Sequence, residues 1–195
     1  MKVLVACEYS GRVRDAFLAK GHDAISCDLL PTDSPGPHYQ GDVFDLDLSE
    51  FDLMIAHPPC TYLTNAGVTW LHKQEKRWIN MIDGAVFFRK LLDAPVKMKC
   101  IENPVMHKYA KQIVGVKQTQ VVQPWMFGHM EQKATCLWLS GLSELQETEN
   151  VKNQMMRLPD NERQRIHYLP PSPDRWKLRS TTFQGLANAM AEQWG

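Results

Sequence analysis

Apolar residues follow two rhythms along this chain. KVLVACE (2–8), DAISCDL (23–29), FDLMIAHP (51–58) and KMKCIENP (97–104) are short, nearly continuous apolar runs. Such runs predict strands buried on both faces. RVRDAFLAKG (12–21), which closes on Gly21, and MHKYAKQIVG (106–115) space their apolar residues at helical intervals. So does WLHKQEKRWINMIDGAVFFRKLLD (70–93), with Trp70, Leu71, Trp78, Met81, Ile82, Val86 and Leu92 set among charged residues. Strand alternating with helix predicts an α/β fold with a mostly parallel sheet covered on both faces. The rhythm then changes. QTQVVQPWMFG (118–128) and KATCLWLSG (133–141) predict two strands joined by a short loop, which places an antiparallel strand near the C-terminus. Residues 141–180 carry four of the twelve prolines and predict loops, with one short helix around MMRLPDNERQRI (155–166). TTFQGLANAMAEQWG (181–195) predicts a final helix with Ala and Met on its inner face.

At 195 residues the chain fits one domain, residues 1–195, rather than two. Lys+Arg and Asp+Glu number 22 each, so any basic groove for a nucleic acid has to be local. The N-terminal apolar run is far too short for a signal peptide core or a membrane span, and cytoplasmic residence is the expectation. The five cysteines are widely spaced without a Cys-x-x-Cys pair, and the seven histidines lack metal-ligand spacing, so neither a disulfide frame nor a metal is expected. Cys7, Cys27, Cys100 and Cys136 lie in strand-like runs where any small apolar residue serves. Cys60 does not: it follows Pro58 and Pro59, in HPPCTYLTNAG.

In an open α/β sheet, ligands bind at the carboxyl ends of the strands. Here those ends carry Glu8-Tyr9-Ser10-Gly11, then Asp28, then Pro58-Pro59-Cys60, then Glu102-Asn103-Pro104. An acid that ends the second strand suits the ribose hydroxyls of a nucleoside cofactor, and Asp42 could accept from an adenine amino group. Cys60 and Glu102 suggest a harder reaction. Carbon 5 of cytosine is a poor nucleophile until a thiolate adds to carbon 6, and an acid at ring nitrogen 3 neutralises the charge that builds up. Trp70, Trp78 and Trp125 are expected in the core, and His57 is a further pocket candidate.

These residues resemble those of the DNA (cytosine-5) methyltransferases. HPPCTYLTNAG resembles their Pro-Pro-Cys catalytic loop, and IENP their Glu-Asn-Val element. QKATCLWLSG is similar to their Gln-Arg-x-Arg strand region, and FQGLANAMA to the C-terminal segment that completes the cofactor pocket. The chain also resembles short phage-encoded members of that family, which would place it in a bacterial host cell. The resemblance implies a Rossmann-like S-adenosylmethionine-dependent sandwich, with Cys60 as nucleophile and Glu102 as the acid. It implies S-adenosyl-L-methionine as cofactor, held by Glu8, Ser10, Gly11, Asp28, Asp42 and Pro59, with Asn188 closing the pocket. Pro58, Asn65, Asn103, Lys133 and Arg179 would face the substrate, and the partner would be DNA, duplex or single-stranded.

The chain departs from that pattern in three places. Glu8-Tyr9-Ser10-Gly11-Arg12 stands where the family has a glycine-rich opening. The arginines that hold the cytosine carbonyl are missing, and Lys133 is the nearest substitute. Residues 141–180 replace a full target-recognition domain, which implies low specificity, single-stranded substrates, or recognition through a homodimer or a separate subunit. Arg157, Arg163, Arg165, Arg175, Lys177 and Arg179, interleaved with Tyr168 and Trp176, suit phosphates and a stacked base as well as they suit a solvated surface. The alternatives are the same chemistry on RNA or a free pyrimidine nucleotide, or an inactive relative that binds nucleic acid or a protein partner.

Overall fold

The computed structural model describes residues 1–195, apart from the side chain of Ala66. Its centre is a seven-stranded sheet in the order β3-β2-β1-β4-β5-β7-β6. The strands are Lys2–Ala6 (β1), Asp23–Asp28 (β2), His38–Gln40 (β3), Leu53–Ala56 (β4), Met98–Pro104 (β5), Gln120–Val122 (β6) and Thr135–Ser140 (β7). β1 pairs in parallel with β2 and β4, and β4 in parallel with β5; β7 runs antiparallel between β5 and β6. This is the expected Rossmann-like arrangement, mostly parallel with an antiparallel strand near the C-terminus.

Two apolar layers cover the sheet, and strand alternation assigns residues to each. Leu4, Ala6, Met54, Ala56 and Ile101 face Lys76–Leu92 (α2) and Lys108–Val114 (α3). Val3, Val5, Leu53, Ile55 and Cys100 face Arg12–Ala19 (α1) and Gln184–Trp194 (α8). α8 buries Leu186, Ala187, Ala189, Met190, Ala191 and Trp194, the Ala- and Met-lined face expected of it. Gly185 allows that approach, since a Cβ there would lie 1.9 Å from the Phe127 carbonyl oxygen.

Several expectations need correction. The long helix begins at Lys76 rather than Trp70, because Asn65–Trp70 forms a separate 3-10 segment. α2 buries Met81, Ala85, Phe88 and Leu91, while Ile82 and Val86 point outwards at 45% and 44% exposure. Trp70 is likewise exposed rather than in the core. β6 and β7 do pair, but a 3-10 turn at Pro124–Met126 and an extended segment separate them in place of a short loop. Residues 141–180 hold four short helices, not one: Lys152–Met155 (α4), Asp160–Arg163 (α5), Arg165–Tyr168 (α6) and Arg175–Ser180 (α7). Pro159 is the N-cap of α5, where its missing N–H costs nothing, so the proline begins a helix instead of breaking one. Among the described residues no helix is long and apolar enough to cross a membrane.

Candidate active site

The carboxyl ends of β4, β5 and the start of β7 bring together the groups that the sequence singles out for catalysis. β4 stops at Ala56, and the prolines carry the chain outwards with Pro58 buried and Pro59 exposed. Cys60 then starts a tight turn, its carbonyl accepting from the Leu63 and Thr64 amides at 3.0 and 3.2 Å. The turn is anchored from the neighbouring connection: the His107 amide donates to Leu63 O at 2.9 Å, and His107 Nε2 lies 2.9 Å from Tyr62 O. Cys60 is half-buried and unpaired. Burial, and then the charge of Glu102, push its thiol pKa up, while Lys133 and Arg179 pull it down without cancelling the rise.

Glu102 lies beside Ile101, which pairs with Ala56 across β4 and β5. Its Oε2 is 3.1 Å from His57 Nδ1, and the two side chains are 13% and 8% exposed. Burial raises the Glu102 pKa, but the His57 hydrogen bond and the charges of His57 and Lys133 outweigh it, leaving the carboxyl below its ordinary range. Lys133 donates from Nζ to the Arg179 carbonyl at 2.8 Å and lies over the Phe183 ring. That bond ties α7 to the start of β7 and brings two cations within electrostatic reach of Cys60.

The expected cofactor side is built differently. Cys7 follows the end of β1 and is, among the described residues, the one non-glycine with positive φ, at 57°. The turn sends Glu8 inwards, where it is 4% exposed. Its two carboxylate oxygens accept from the Val13 and Arg14 amides, at 2.8 and 3.2 Å, and Ser10 Oγ donates to one of them at 3.2 Å. Glu8 and Ser10 thus satisfy the start of α1 before any ligand arrives. Gly11 has φ 73°, and a Cβ there would come within 2.5 Å of the Arg14 guanidinium.

Arg14 was not foreseen. Its side chain is completely buried, and it donates to Ser26 Oγ, Thr32 Oγ1 and the carbonyls of Ser34, Pro35 and Pro37. It pins residues 32–37 against α1. In RVRDAFLAKG it reads as an ordinary solvated charge, and no local signal distinguishes it.

Asp28 ends β2 half-buried, with Oδ1 accepting from Leu30 N at 2.9 Å. Burial holds its pKa above the ordinary value. Beside it Leu29 is 72% exposed, an apolar surface that sequence reasoning also missed. Asp42 is exposed and caps a 3-10 turn by accepting from Phe44 N at 3.0 Å.

Two residues are out of place. Asn103 is fully buried, and its amide donates to Pro104 O at 2.7 Å. Alternation along β5 turns it to the sheet face opposite Glu102. Asn188 lies on the exposed face of α8, bonded to Gln184, and lines a groove with Ala16, Ala19 and Glu192. It does not close a pocket at the strand ends, because that helix buries its Ala and Met face instead. Asn65 is exposed at the start of its 3-10 segment.

No family model and no curated protein matches the chain. Among solved structures it is similar to a prophage-encoded E. coli protein provisionally described as a DNA modification methyltransferase. The two are 14% identical, with a TM-score of 0.47, and the match covers 81% of this chain and 55% of the other. The chain thus spans about half the length of that protein.

Proposed function

We propose that this chain transfers a methyl group from S-adenosyl-L-methionine to carbon 5 of cytosine in DNA, through a covalent bond to Cys60. The observation that carries the reading is the meeting of Cys60 and Glu102 on adjacent strand ends, with Lys133 and Arg179 within electrostatic reach of the thiol. One tight turn, anchored through the Tyr62 and Leu63 carbonyls, and two prolines hold Cys60 on a stiff loop, which suits a nucleophile that must meet one ring carbon.

Cys60 Sγ adds to carbon 6, and its proton leaves. Glu102 neutralises ring nitrogen 3 as charge builds there, so that carbon 5 becomes nucleophilic. Lys133 and Arg179 partly offset the burial and the Glu102 charge that disfavour the thiolate form of Cys60. The bound cofactor supplies an electrophilic methyl group. Loss of the carbon 5 proton then expels Cys60 and restores the aromatic ring. Asp28 would hold the ribose hydroxyls, with Leu29 as an apolar platform beside it, and Asp42 would accept from the adenine amino group; these residue types fit a nucleoside cofactor. The methionine end has to be held by groups other than the Glu8 and Ser10 side chains, whose oxygens are committed to α1.

DNA as substrate is supported by the α6–α7 segment, where Tyr168 and Trp176 are exposed among arginines and lysines. Part of that charge is already neutralised, by Arg165–Glu131 and Lys177–Asp33 pairs. A duplex target would have to leave the base stack to reach Cys60. The internal use of Glu8 and Ser10 favours a second reading, an inactive relative that binds nucleic acid without the cofactor.

The test is transfer of radiolabelled methyl groups to duplex DNA, single-stranded DNA, RNA and free dCMP. Label at carbon 5 of cytosine in DNA is the expected result, and label on RNA or dCMP alone moves the substrate. Nucleic-acid binding with no label anywhere supports the inactive reading.

A further inference from the structure

We propose that His57 is the positioning residue of Glu102: it fixes the direction of the carboxyl and holds, within the pair, the proton that Glu102 delivers to the cytosine ring. This inference rests on the function proposed above and adds a residue to it.

The placement follows from the strands. His57 comes one residue after Ala56, and Glu102 one residue after Ile101, the partner of Ala56 across β4 and β5. Both side chains therefore leave the sheet on the same face, and meet at 3.1 Å between Nδ1 and Oε2. The bond occupies one oxygen of the carboxyl and leaves the other for a ligand. The geometry also leaves a polar atom unexplained. His57 Nε2 is buried without a hydrogen-bond partner among the described residues. That open nitrogen, beside the bond that fixes Glu102, is available to a proton or to a ligand.

The pair can hold one proton beyond that on Nδ1, either as imidazolium with carboxylate or as imidazole with carboxylic acid. In the addition step Cys60 loses its thiol proton to solvent, and the Sγ–C6 bond forms. The C5=C6 electron pair shifts towards C4, the C4=N3 pair moves onto N3, and N3 takes the proton from the pair through Glu102. Elimination reverses each of these movements. The charged and titratable groups facing the pair are Cys60, Lys133, Cys100 and Cys136, with Arg179 facing Cys60.

Three proteins test this: the parent, His57→Asn and His57→Leu. Asn retains a donor near the Nδ1 position but cannot carry the proton, whereas Leu loses both functions. In the parent, kcat for methyl transfer should fall as pH rises and the pair loses its proton. In His57→Asn, kcat at pH about 7.5 should drop about tenfold to a hundredfold with KM within about twofold, and the alkaline fall should move to lower pH. His57→Leu should lose at least as much activity. As a check independent of turnover and of the variants' folding, a carbon-13 titration of the parent should place Glu102 below ordinary glutamates. An active parent whose pH profile is unchanged in His57→Asn overturns the inference and leaves the proposed function standing. So does a Glu102 that titrates as an ordinary or raised carboxyl. A parent that neither methylates nor forms a Cys60 adduct overturns both.

Discussion

The two halves of the sheet's carboxyl edge use their polar residues in opposite ways. At the β1–β2 end, Glu8 and Ser10 bond to the start of α1, and Arg14 disappears into a loop. Those side chains hold the chain to itself. At the β4–β5–β7 end, Cys60, Glu102 and His57 Nε2 keep atoms without protein partners, while Lys133 and Arg179 shift the titration of their neighbours. Buried polar groups normally find partners, so the second end carries unpaired chemistry that a ligand can use, and the first end builds the frame. Asp28 is the exception at the first end. Burial disfavours its charge, although a backbone bond partly offsets this, and a charge held at a cost is one that a ligand can reward.

The contrast can be broken or sharpened by mutation. Glu102→Gln should lower methyl transfer by about a hundredfold or more, since it removes the acid but keeps the shape; kcat against pH measures it. Arg14→Met should leave the Cys60 chemistry in place but destabilise the fold by about 3 kcal/mol, because three part-buried carbonyls and the buried Ser26 hydroxyl lose their donor. Urea unfolding reads that loss. If Arg14→Met abolished transfer while leaving the unfolding midpoint unchanged, the division of labour would be wrong.

Asp28→Asn should weaken cofactor binding about tenfold, measured by calorimetry, by removing a charged acceptor. It should also slightly stabilise the free protein at neutral pH. The folded-state pKa of Asp28 is raised, so its ionised form opposes folding once the pH exceeds the ordinary carboxylate value. Glu102 has the opposite sign. Its depressed pKa stabilises the folded chain above the ordinary glutamate range, and that contribution disappears as the pH falls through the folded-state value. The stability difference between the parent and Glu102→Gln should therefore shrink below pH about 4, the smallest of these effects.

Much of this was legible in the sequence, for physical reasons. Continuous apolar runs such as LMIA can only be strands covered on both faces, and the change of rhythm after Gly115 announced the antiparallel edge. Cys60 stood out because two prolines have no reason to precede a packing cysteine. What stayed hidden depends on contacts distant in sequence. Nothing in RVRDAFLAKG shows that Arg14 will be caged by residues 32–37, or that Glu8 will cap the helix after it. Apolar residues on α2 overcounted the core, since Ile82 and Val86 share the helical period but face outwards. Asn103 neighbours Glu102 in sequence, but adjacency in a strand is opposition across the sheet, which the sequence alone does not display.

The most direct test of the central claim is covalent trapping with DNA containing 5-fluorocytosine and S-adenosyl-L-methionine, for the parent and for Cys60→Ala. Fluorine at carbon 5 cannot leave as a proton does, so the base should remain attached to Cys60. The account predicts a denaturation-resistant adduct in the parent and none in Cys60→Ala. An adduct that persists in Cys60→Ala, or methylated DNA formed without any dependence on Cys60, would contradict it.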